Sequence, residues 1–295
     1  MAIPEKQLDT WANQGAMAGS RDTYKSVKTA LESTKALYNG QDYTVFLQGS
    51  YGNDTNIFAE SDVDVVIQLN SALFLDLEAL TQADKDALNA TMSDAKYGNT
   101  QFKKDVVTRL TTEYGDAAKA GDKAITIAAE GNRRKSDVIA AATHRRYFKN
   151  SSGNLDYYEG ITFFTAGGQQ INNFPRHHSD NLTTKHQNTK NWLKPMARIL
   201  KNMRGKLVDD GMIEAGLAPS YYLEGLLYNV PDDKFGSSYA DTFANAINWI
   251  RAADRSKFVC ANERYYLLRD GSPVTWQAEK CDKFLTAAVK LWNDW

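Results

Sequence analysis

The chain has 295 residues, which is enough for one large domain or two smaller domains with their own cores. Its 35 Lys and Arg against 36 Asp and Glu leave almost no net charge, which argues against a globally basic nucleic-acid-binding protein. Two cysteines, no apolar leader segment and no run of 18 apolar residues predict a cytoplasmic protein with reduced thiols and no membrane span.

The first half of the chain alternates between helical and strand patterns. Apolar residues at helical spacing predict helices over residues 20–38, 72–92 and 100–114. Short β-branched or alternating runs predict strands over residues 44–47, 62–69, 124–128, 136–142, 144–148 and 155–164. These patterns together predict an α+β fold with a mixed sheet.

The second half is predicted to be entirely helical. A long apolar stripe indicates a helix over residues 186–207, and further helices are expected over 238–252 and 276–292. Ser220 is predicted to cap another helix. The change of character near residues 175–182 predicts an α/β domain over 1–178, with an N-terminal helix, and a helical domain over 179–295.

Two acids stand one residue apart inside an apolar run. Asp62 and Asp64 would point to the same face of the predicted strand. Like charges held together on a half-buried strand cost free energy unless a positive group lies between them. A divalent metal that binds phosphate is the usual positive group, although Asp-x-Asp also occurs as a solvated pair where a strand starts.

A third acid, Asp137, lies in the short apolar strand predicted over 136–142. Three carboxylates on adjacent strands could hold two Mg²⁺ ions, because this hard cation prefers oxygen ligands. Two metals about 3.5–4 Å apart stabilise both the attacking and the leaving oxygen of a phosphoryl transfer. Gly49 and Ser50 could bring backbone N–H groups and a hydroxyl close to the phosphates.

Other polar residues admit two interpretations. The basic run at residues 133–135 is typical of a solvated face but could contact phosphate, and His177 and His178 are interpreted as a surface pair. In the helical half, Lys201 belongs to a set of basic residues mostly off the apolar stripe. Ser220 and Tyr221 begin the next helix, where a phosphate and a stacked base could bind, or where the tyrosine could be an ordinary core residue.

Gly49-Ser50, the Asp62-Val63-Asp64 block and the later Asp137 resemble the DNA polymerase β-like nucleotidyltransferase superfamily. The helical half resembles the domain shared by poly(A) polymerase, oligoadenylate synthase and cGAS. More closely, residues 46–57 (FLQGSYGNDTNI) and 171–175 (INNFP) look like the bacterial CD-NTases, most of all clade E of the CBASS anti-phage systems.

The resemblance implies an enzyme with Mg²⁺ or Mn²⁺ on the three aspartates. It also implies that Lys201 holds a triphosphate, that Ser220 meets a phosphate and that Tyr221 stacks on a base. An asparagine near the start of this region favours a pyrimidine in clade E; the candidates are Asn172 and Asn173, with Asn173 preferred, because an amide can both donate to and accept from uracil.

The function that follows from the resemblance is the joining of two or three ribonucleoside triphosphates, UTP and ATP foremost, into a cyclic oligonucleotide for antiviral signalling. A separate effector protein would read the product. The enzyme is expected to act as a monomer without extended nucleic acid. The alternatives are a template-independent transferase that makes linear products or extends RNA ends, and a non-catalytic binding module of the same fold.

Overall fold

The structure is a computed structural model that describes residues 2–15, 17–59 and 62–295. Ser61, which adjoins the Asp62-Val63-Asp64 block, lies outside the described residues. The chain forms two compact units. One, called here the sheet unit, comprises Gly19–Leu47 and Asp62–Phe174; the other, the helical unit, comprises Met1–Ala18, Gln48–Ser61 and Pro175–Trp295.

The elements of the described residues are numbered here in chain order. The α-helices are α1 (Glu5–Ala12), α2 (Met17–Leu31), α3 (Gly49–Gly52), α4 (Gln82–Asn89), α5 (Asn99–Tyr114), α6 (Pro175–Asn188), α7 (Leu193–Asp209), α8 (Ser220–Asn229), α9 (Tyr239–Ala252) and α10 (Ala278–Asp294). The strands are β1 (Tyr43–Leu47), β2 (Val63–Asp76), β3 (Ala118–Ala120), β4 (Ile125–Ile127), β5 (Ser136–Lys149), β6 (Leu155–Phe164) and β7 (Gln170–Asn173). None of these helices is long and apolar enough to cross a membrane.

The strands form one mixed sheet. Its main path runs β1-β2-β5-β4-β3, and β6 and β7 extend it from the second half of β5. The β2–β5 pair is parallel, and the other pairs are antiparallel. This arrangement confirms the predicted α+β class with a mixed sheet.

One face of the sheet is covered by helices. Val63, Val65 and Ile67 alternate along β2 and are fully buried in the same core as Val138 of β5. The stripe predicted for residues 100–114 is present on α5, where Phe102, Val106 and Leu110 enter this core. Burial of a side chain of this size contributes about 1.5–3 kcal/mol, so this face fixes which residues of β2 and β5 point the other way.

The helical unit has its own core, built around α7. Five residues of the predicted apolar stripe of this helix are buried, namely Met196, Ile199, Leu200, Met203 and Leu207. The sixth, Trp192, is partly exposed at the N-cap of α7. Ile3, Leu8 and Ala12 at the N-terminus belong to the same core. The segments Met1–Ala18 and Gln48–Ser61 group with the later helices in the helical unit, whereas the predicted division at 178 assigns them to the α/β domain.

Several predicted elements were wrong in extent. The helix predicted over 20–38 ends at Leu31. The helix predicted over 72–92 covers only Gln82–Asn89, because β2 continues past a register shift to Asp76 and pairs there with β5. The strands predicted over 136–142 and 144–148 are one strand. Cross-strand pairing overrides local helical spacing in such cases.

The helix predicted over 186–207 is interrupted. Lys190 and Asn191 have φ values of 51° and 69°, so the chain leaves the right-handed helix between α6 and α7. His186 lies just before this break, and its Nδ1 accepts a hydrogen bond of 3.3 Å from the backbone N–H of Lys194. Burial, followed by the nearby charges of Lys194 and Arg198, lowers the pKa of His186 to about 4.

This pKa predicts a loss of stability in mild acid. Because the folded protein resists protonation of His186, the unfolded chain binds a proton first as pH falls below about 6.5. The stability that the neutral His186 ring contributes at pH 7 is therefore lost between about pH 6.5 and 4. We expect this loss to be about 1 kcal/mol, because the residue is partly exposed to solvent. Urea unfolding of His186→Asn should show a flatter pH dependence than the wild type in this range; equal slopes would contradict the assignment.

Candidate active site

The three predicted aspartates lie on one face of the sheet. Asp64 on β2 and Asp137 on β5 are directly paired in the parallel register, and Asp62 immediately precedes β2. Because side chains alternate along a strand, Asp64 and Asp137 point away from the core that holds Val65 and Val138. Asp62 contacts the same lysine as Asp137, so it lies on the same face. The sheet thus places like charges side by side, as the spacing predicted.

A lysine lies between two of these acids. The Nζ of Lys135 is 2.5 Å from Oδ2 of Asp62 and 3.3 Å from Oδ2 of Asp137. The hydrogen bond to Asp62 raises the pKa of Lys135, so its ammonium group stays charged. Thr126 on β4 donates a hydrogen bond of 2.5 Å to the other oxygen of Asp137. The carboxylates therefore have a positive group and a hydroxyl donor in place.

The same residues suit a divalent cation. Among the residues that the structure describes, no three His, Cys, Asp or Glu side chains form a ready-made metal site. Asp62 and Asp137 nevertheless contact a single ammonium group, so both are within reach of one cation. Their donors are carboxylate oxygens, which are the ligands that Mg²⁺ prefers. The three aspartates could hold such an ion if the ammonium group of Lys135 moved aside.

The two candidate asparagines point to opposite faces of the sheet. Ile161 of β6 pairs with Asn173 of β7 on one side and with Thr143 of β5 on the other, so these three side chains lie on one face of the sheet. Thr143 follows Asp137 on β5 by an even number of residues, so the side chain of Asp137 lies on this face too. Asn173 thus shares the face of the aspartates, whereas Asn172 lies on the other face. The side-chain oxygen of Asn172 also accepts a hydrogen bond from Gln170.

Gly49 and Ser50 lie in the helical unit, at the start of the one-turn helix α3. Gly49 has a φ of 68°, a left-handed conformation that favours glycine. Its carbonyl accepts from the backbone N–H of Asn53 at 3.1 Å, and the carbonyl of Ser50 accepts from that of Thr55 at 2.9 Å. The turn is therefore held by the residues that follow it.

Lys201 is buried and belongs to what we call the Glu224 cluster: Glu224, Lys201, Thr55, Asn53 and His178. Its side chain is 0% exposed, and its Nζ lies 2.6 Å from Oε1 of Glu224. Burial alone would raise the pKa of the Glu224 carboxyl, but Lys201 and then His178 hold this pKa well below its usual range. The charge of Lys201 is thus already compensated, and it would reach a phosphate only if this pair opened.

Ser220 and Tyr221 begin α8. The prediction that Ser220 caps the helix was wrong, because Pro219 occupies the N-cap position and the Ser220 hydroxyl accepts a hydrogen bond of 3.1 Å from Arg204. Tyr221 stacks on His178 with ring centroids 4.6 Å apart, and burial raises its pKa. One face of the Tyr221 ring is therefore already covered.

Sequence reasoning missed several of these residues. His178 is not part of a surface pair: it is buried, and its Nε2 lies 2.7 Å from Glu224. Nothing in the local sequence distinguishes Glu224 or Thr55. For Lys135, the basic run at residues 133–135 predicts a solvated face or a phosphate contact, and neither includes its bonds to the aspartates. Its position two residues before Asp137 could have indicated them, because side chains at that spacing share a face of a strand.

Comparison with known proteins decides the family. A sequence profile of the cGAS/DncV-like nucleotidyltransferase C-terminal helical domain matches residues 180–293. A cyclic UMP-AMP synthase of Rhodothermus marinus is 40% identical over 100% of this chain and 99% of its own length. The chain belongs to the cGAS/DncV-like nucleotidyltransferases. A cyclic nucleotide synthase of Staphylococcus haemolyticus, CdnE01, is 37% identical over the full length of both chains.

A solved structure supports the same assignment for the fold. The Rhodothermus marinus CdnE c-UMP-AMP synthase with Apcpp and Upnpp has a TM-score of 0.89 to this nucleotidyltransferase at 38% identity, covering 99% of this chain and 97% of that one. The predicted family and the predicted nucleotidyltransferase activity with a cyclic product are confirmed. The assignment of individual residues to the site stays a prediction.

The aspartates provide a direct test of that assignment. Asp64→Asn keeps the size of the side chain but removes one negative charge from the paired site. Metal-assisted chemistry contributes several kcal/mol, so we expect the rate of product formation to fall at least about 100-fold with an unchanged circular dichroism spectrum and Tm. Asp22→Asn, on the exposed face of α2, is the matched control and should retain wild-type activity. A wild-type rate for Asp64→Asn would show that the catalytic assignment is wrong.

Proposed function

We propose that this nucleotidyltransferase joins UTP and ATP into a cyclic UMP-AMP dinucleotide and releases pyrophosphate. The observation that carries the proposal is the sheet face that bears Asp62, Asp64, Asp137 and Asn173, since it combines a set of metal ligands with a base-reading amide. The substrate pair is supported by the full-length similarity to the Rhodothermus marinus enzyme.

The three aspartates would hold two Mg²⁺ ions. These ions would activate a ribose hydroxyl and stabilise the negative charge that develops at the α-phosphate and on the leaving pyrophosphate. Thr126 donates to Asp137 and so orients its carboxylate. Lys135 neutralises Asp62 and Asp137 when no metal is bound. The attack of a hydroxyl on an α-phosphate would take place twice, because a cyclic dinucleotide has two such linkages.

Other residues are proposed to hold the phosphates and the bases. Gly49 and Ser50 offer a turn without a bulky side chain at its first residue. Ser220 and Tyr221 remain proposed contacts for a phosphate and a base. Asn173 would donate from its amide NH₂ group to a carbonyl oxygen of uracil, since its own Oδ1 accepts from the backbone N–H of Phe174.

The resemblance to clade E supports a place in anti-phage signalling. We propose that the product is a second messenger that a separate effector protein reads in the cytoplasm. Ribonucleoside triphosphates are the only substrates that this function requires, and the near-zero net charge gives no support for binding extended nucleic acid.

The proposed reaction predicts a specific product. The purified protein with Mg²⁺ and labelled ATP plus UTP should form a compound that resists phosphatase, because a cyclic product has no terminal phosphate. Its mass should equal that of one UMP and one AMP, each less one water. Single nucleotides serve as controls. A phosphatase-sensitive product would instead favour the linear transferase.

The orientation of the two asparagines predicts different effects on base choice. Asn173→Ala should lower the incorporation of uridine about tenfold relative to adenosine, which is the effect of one lost hydrogen bond. Asn172→Ala, on the opposite face of the same strand, is the matched control and should leave this ratio unchanged. Products formed from equimolar amounts of the four ribonucleotides, identified by mass spectrometry, measure the ratio. The same uridine fraction in both variants would exclude Asn173 as the base-reading residue.

A further inference from the structure

The Glu224 cluster connects two helices to the turn and loop residues 53–55. Glu224 on α8 and Lys201 on α7 are 3% and 0% exposed, and both contact Thr55. The Thr55 hydroxyl donates to Oε1 of Glu224 and accepts from Nζ of Lys201 at 2.9 Å. Lys201 also donates to the carbonyl of Thr55 at 3.1 Å, and Asn53 donates to Oε2 of Glu224 at 3.4 Å.

Buried ion pairs are a poor means of adding stability, because removing two charges from water costs about as much as their attraction returns. Such pairs are better explained where they fix one conformation among several. Here the pair fixes residues 53–55, which are otherwise loop. Asp54 in the same segment is held from outside the cluster, because its carboxylate lies 3.2 Å from Lys194 and its carbonyl accepts from Arg198 at 2.6 Å.

Residues 53–55 also hold the Gly49–Ser50 turn that precedes them. The backbone N–H of Thr55 donates to the carbonyl of Ser50 at 2.9 Å, and that of Asn53 donates to the carbonyl of Gly49 at 3.1 Å. A continuous chain of hydrogen bonds therefore runs from Lys201 through Thr55 to Ser50. Lys201 and Thr55 are buried, whereas Ser50 is partly exposed.

We propose that the Lys201–Glu224 pair, acting through Thr55, is a positioning device that sets the Gly49–Ser50 turn for the triphosphate. The inference rests on the proposed function, because it assigns the turn to phosphate. It changes the role predicted for Lys201, which holds the turn instead of contacting the phosphate itself. Thr55, Lys201 and Glu224 are positioning residues.

The hydroxyl of Thr55 allows the inference to be tested without changing any charge. Thr55→Val keeps the shape but removes the hydroxyl that bonds to Lys201, to Glu224 and, at 3.4 Å, to the carbonyl of Ser50. Thr55→Ser keeps a hydroxyl at this position. The matched control is Thr242→Val, since Thr242 is also fully buried in the helical unit and its hydroxyl bonds to the carbonyl of Gly236. The affinity for an ATP analogue with a non-hydrolysable α–β linkage, with Mg²⁺, is measured by calorimetry together with Tm.

We expect Thr55→Val to bind the analogue about tenfold more weakly than the wild type, the equivalent of one lost hydrogen bond. Thr55→Ser should bind as the wild type does. Thr242→Val should lower Tm as Thr55→Val does but should leave the affinity for the analogue unchanged. This control therefore separates a general loss of stability from a displacement of the Gly49–Ser50 turn. Equal binding by Thr55→Val and the wild type overturns this inference alone, whereas no binding by the wild type overturns the proposed function with it.

A second variant distinguishes the two possible roles of Lys201, which are direct contact with phosphate and positioning of the turn through Thr55. Glu224→Gln removes the charge that holds Lys201 but keeps the size of the side chain and a hydrogen-bond acceptor. If Lys201 contacts phosphate directly, release from Glu224 should leave binding equal or tighter. The positioning role predicts weaker binding, by about tenfold or more, because the ammonium group no longer fixes Thr55. Equal or tighter binding by Glu224→Gln would overturn the inference even if Thr55→Val does not fold.

Discussion

The repulsion between carboxylates on neighbouring strands is the constraint on which the site depends. Asp64 and Asp137 are paired by the register of β2 and β5, and that register is fixed by the apolar residues on the opposite face. The acids cannot move apart without exposing Val65 and Val138. A positive charge must therefore be brought to the acidic face, and in this structure Lys135 supplies it at Asp62 and Asp137.

Lys135 and Lys201 differ in how much of their side chains is exposed to solvent. The side chain of Lys135 is 44% exposed, so its ammonium group can move into water at little cost when a divalent ion takes its place. Lys201 is enclosed, and separating it from Glu224 would leave a buried charge without a partner. This difference in solvent access makes Lys135 a replaceable counter-charge and Lys201 a fixed support, although both are lysines bonded to carboxylates.

Much of the fold and the acidic face could be predicted from the sequence. Alternation along residues 62–69 is a local signal, and it correctly placed Asp62 and Asp64 on the face away from the core. The long strand β5 and the extension of β2 to Asp76 could not be predicted, because they depend on pairing between residues about seventy positions apart. The break between α6 and α7 depends on two non-glycine residues in left-handed conformations, which composition does not reveal. The Glu224 cluster was missed for a similar reason: its members come from separate segments of the chain, and no local pattern links these segments to one another.

Direct binding of Mn²⁺, measured by electron paramagnetic resonance without nucleotide, tests the central claim most directly. If Lys135 is the counter-charge that a metal replaces, Lys135→Met should bind Mn²⁺ about threefold more tightly than the wild type, the free energy of an exposed ion pair. Asp137→Asn should bind the ion more weakly than the wild type. Unchanged affinity in both variants would contradict the claim that these carboxylates require, and bind, a cation.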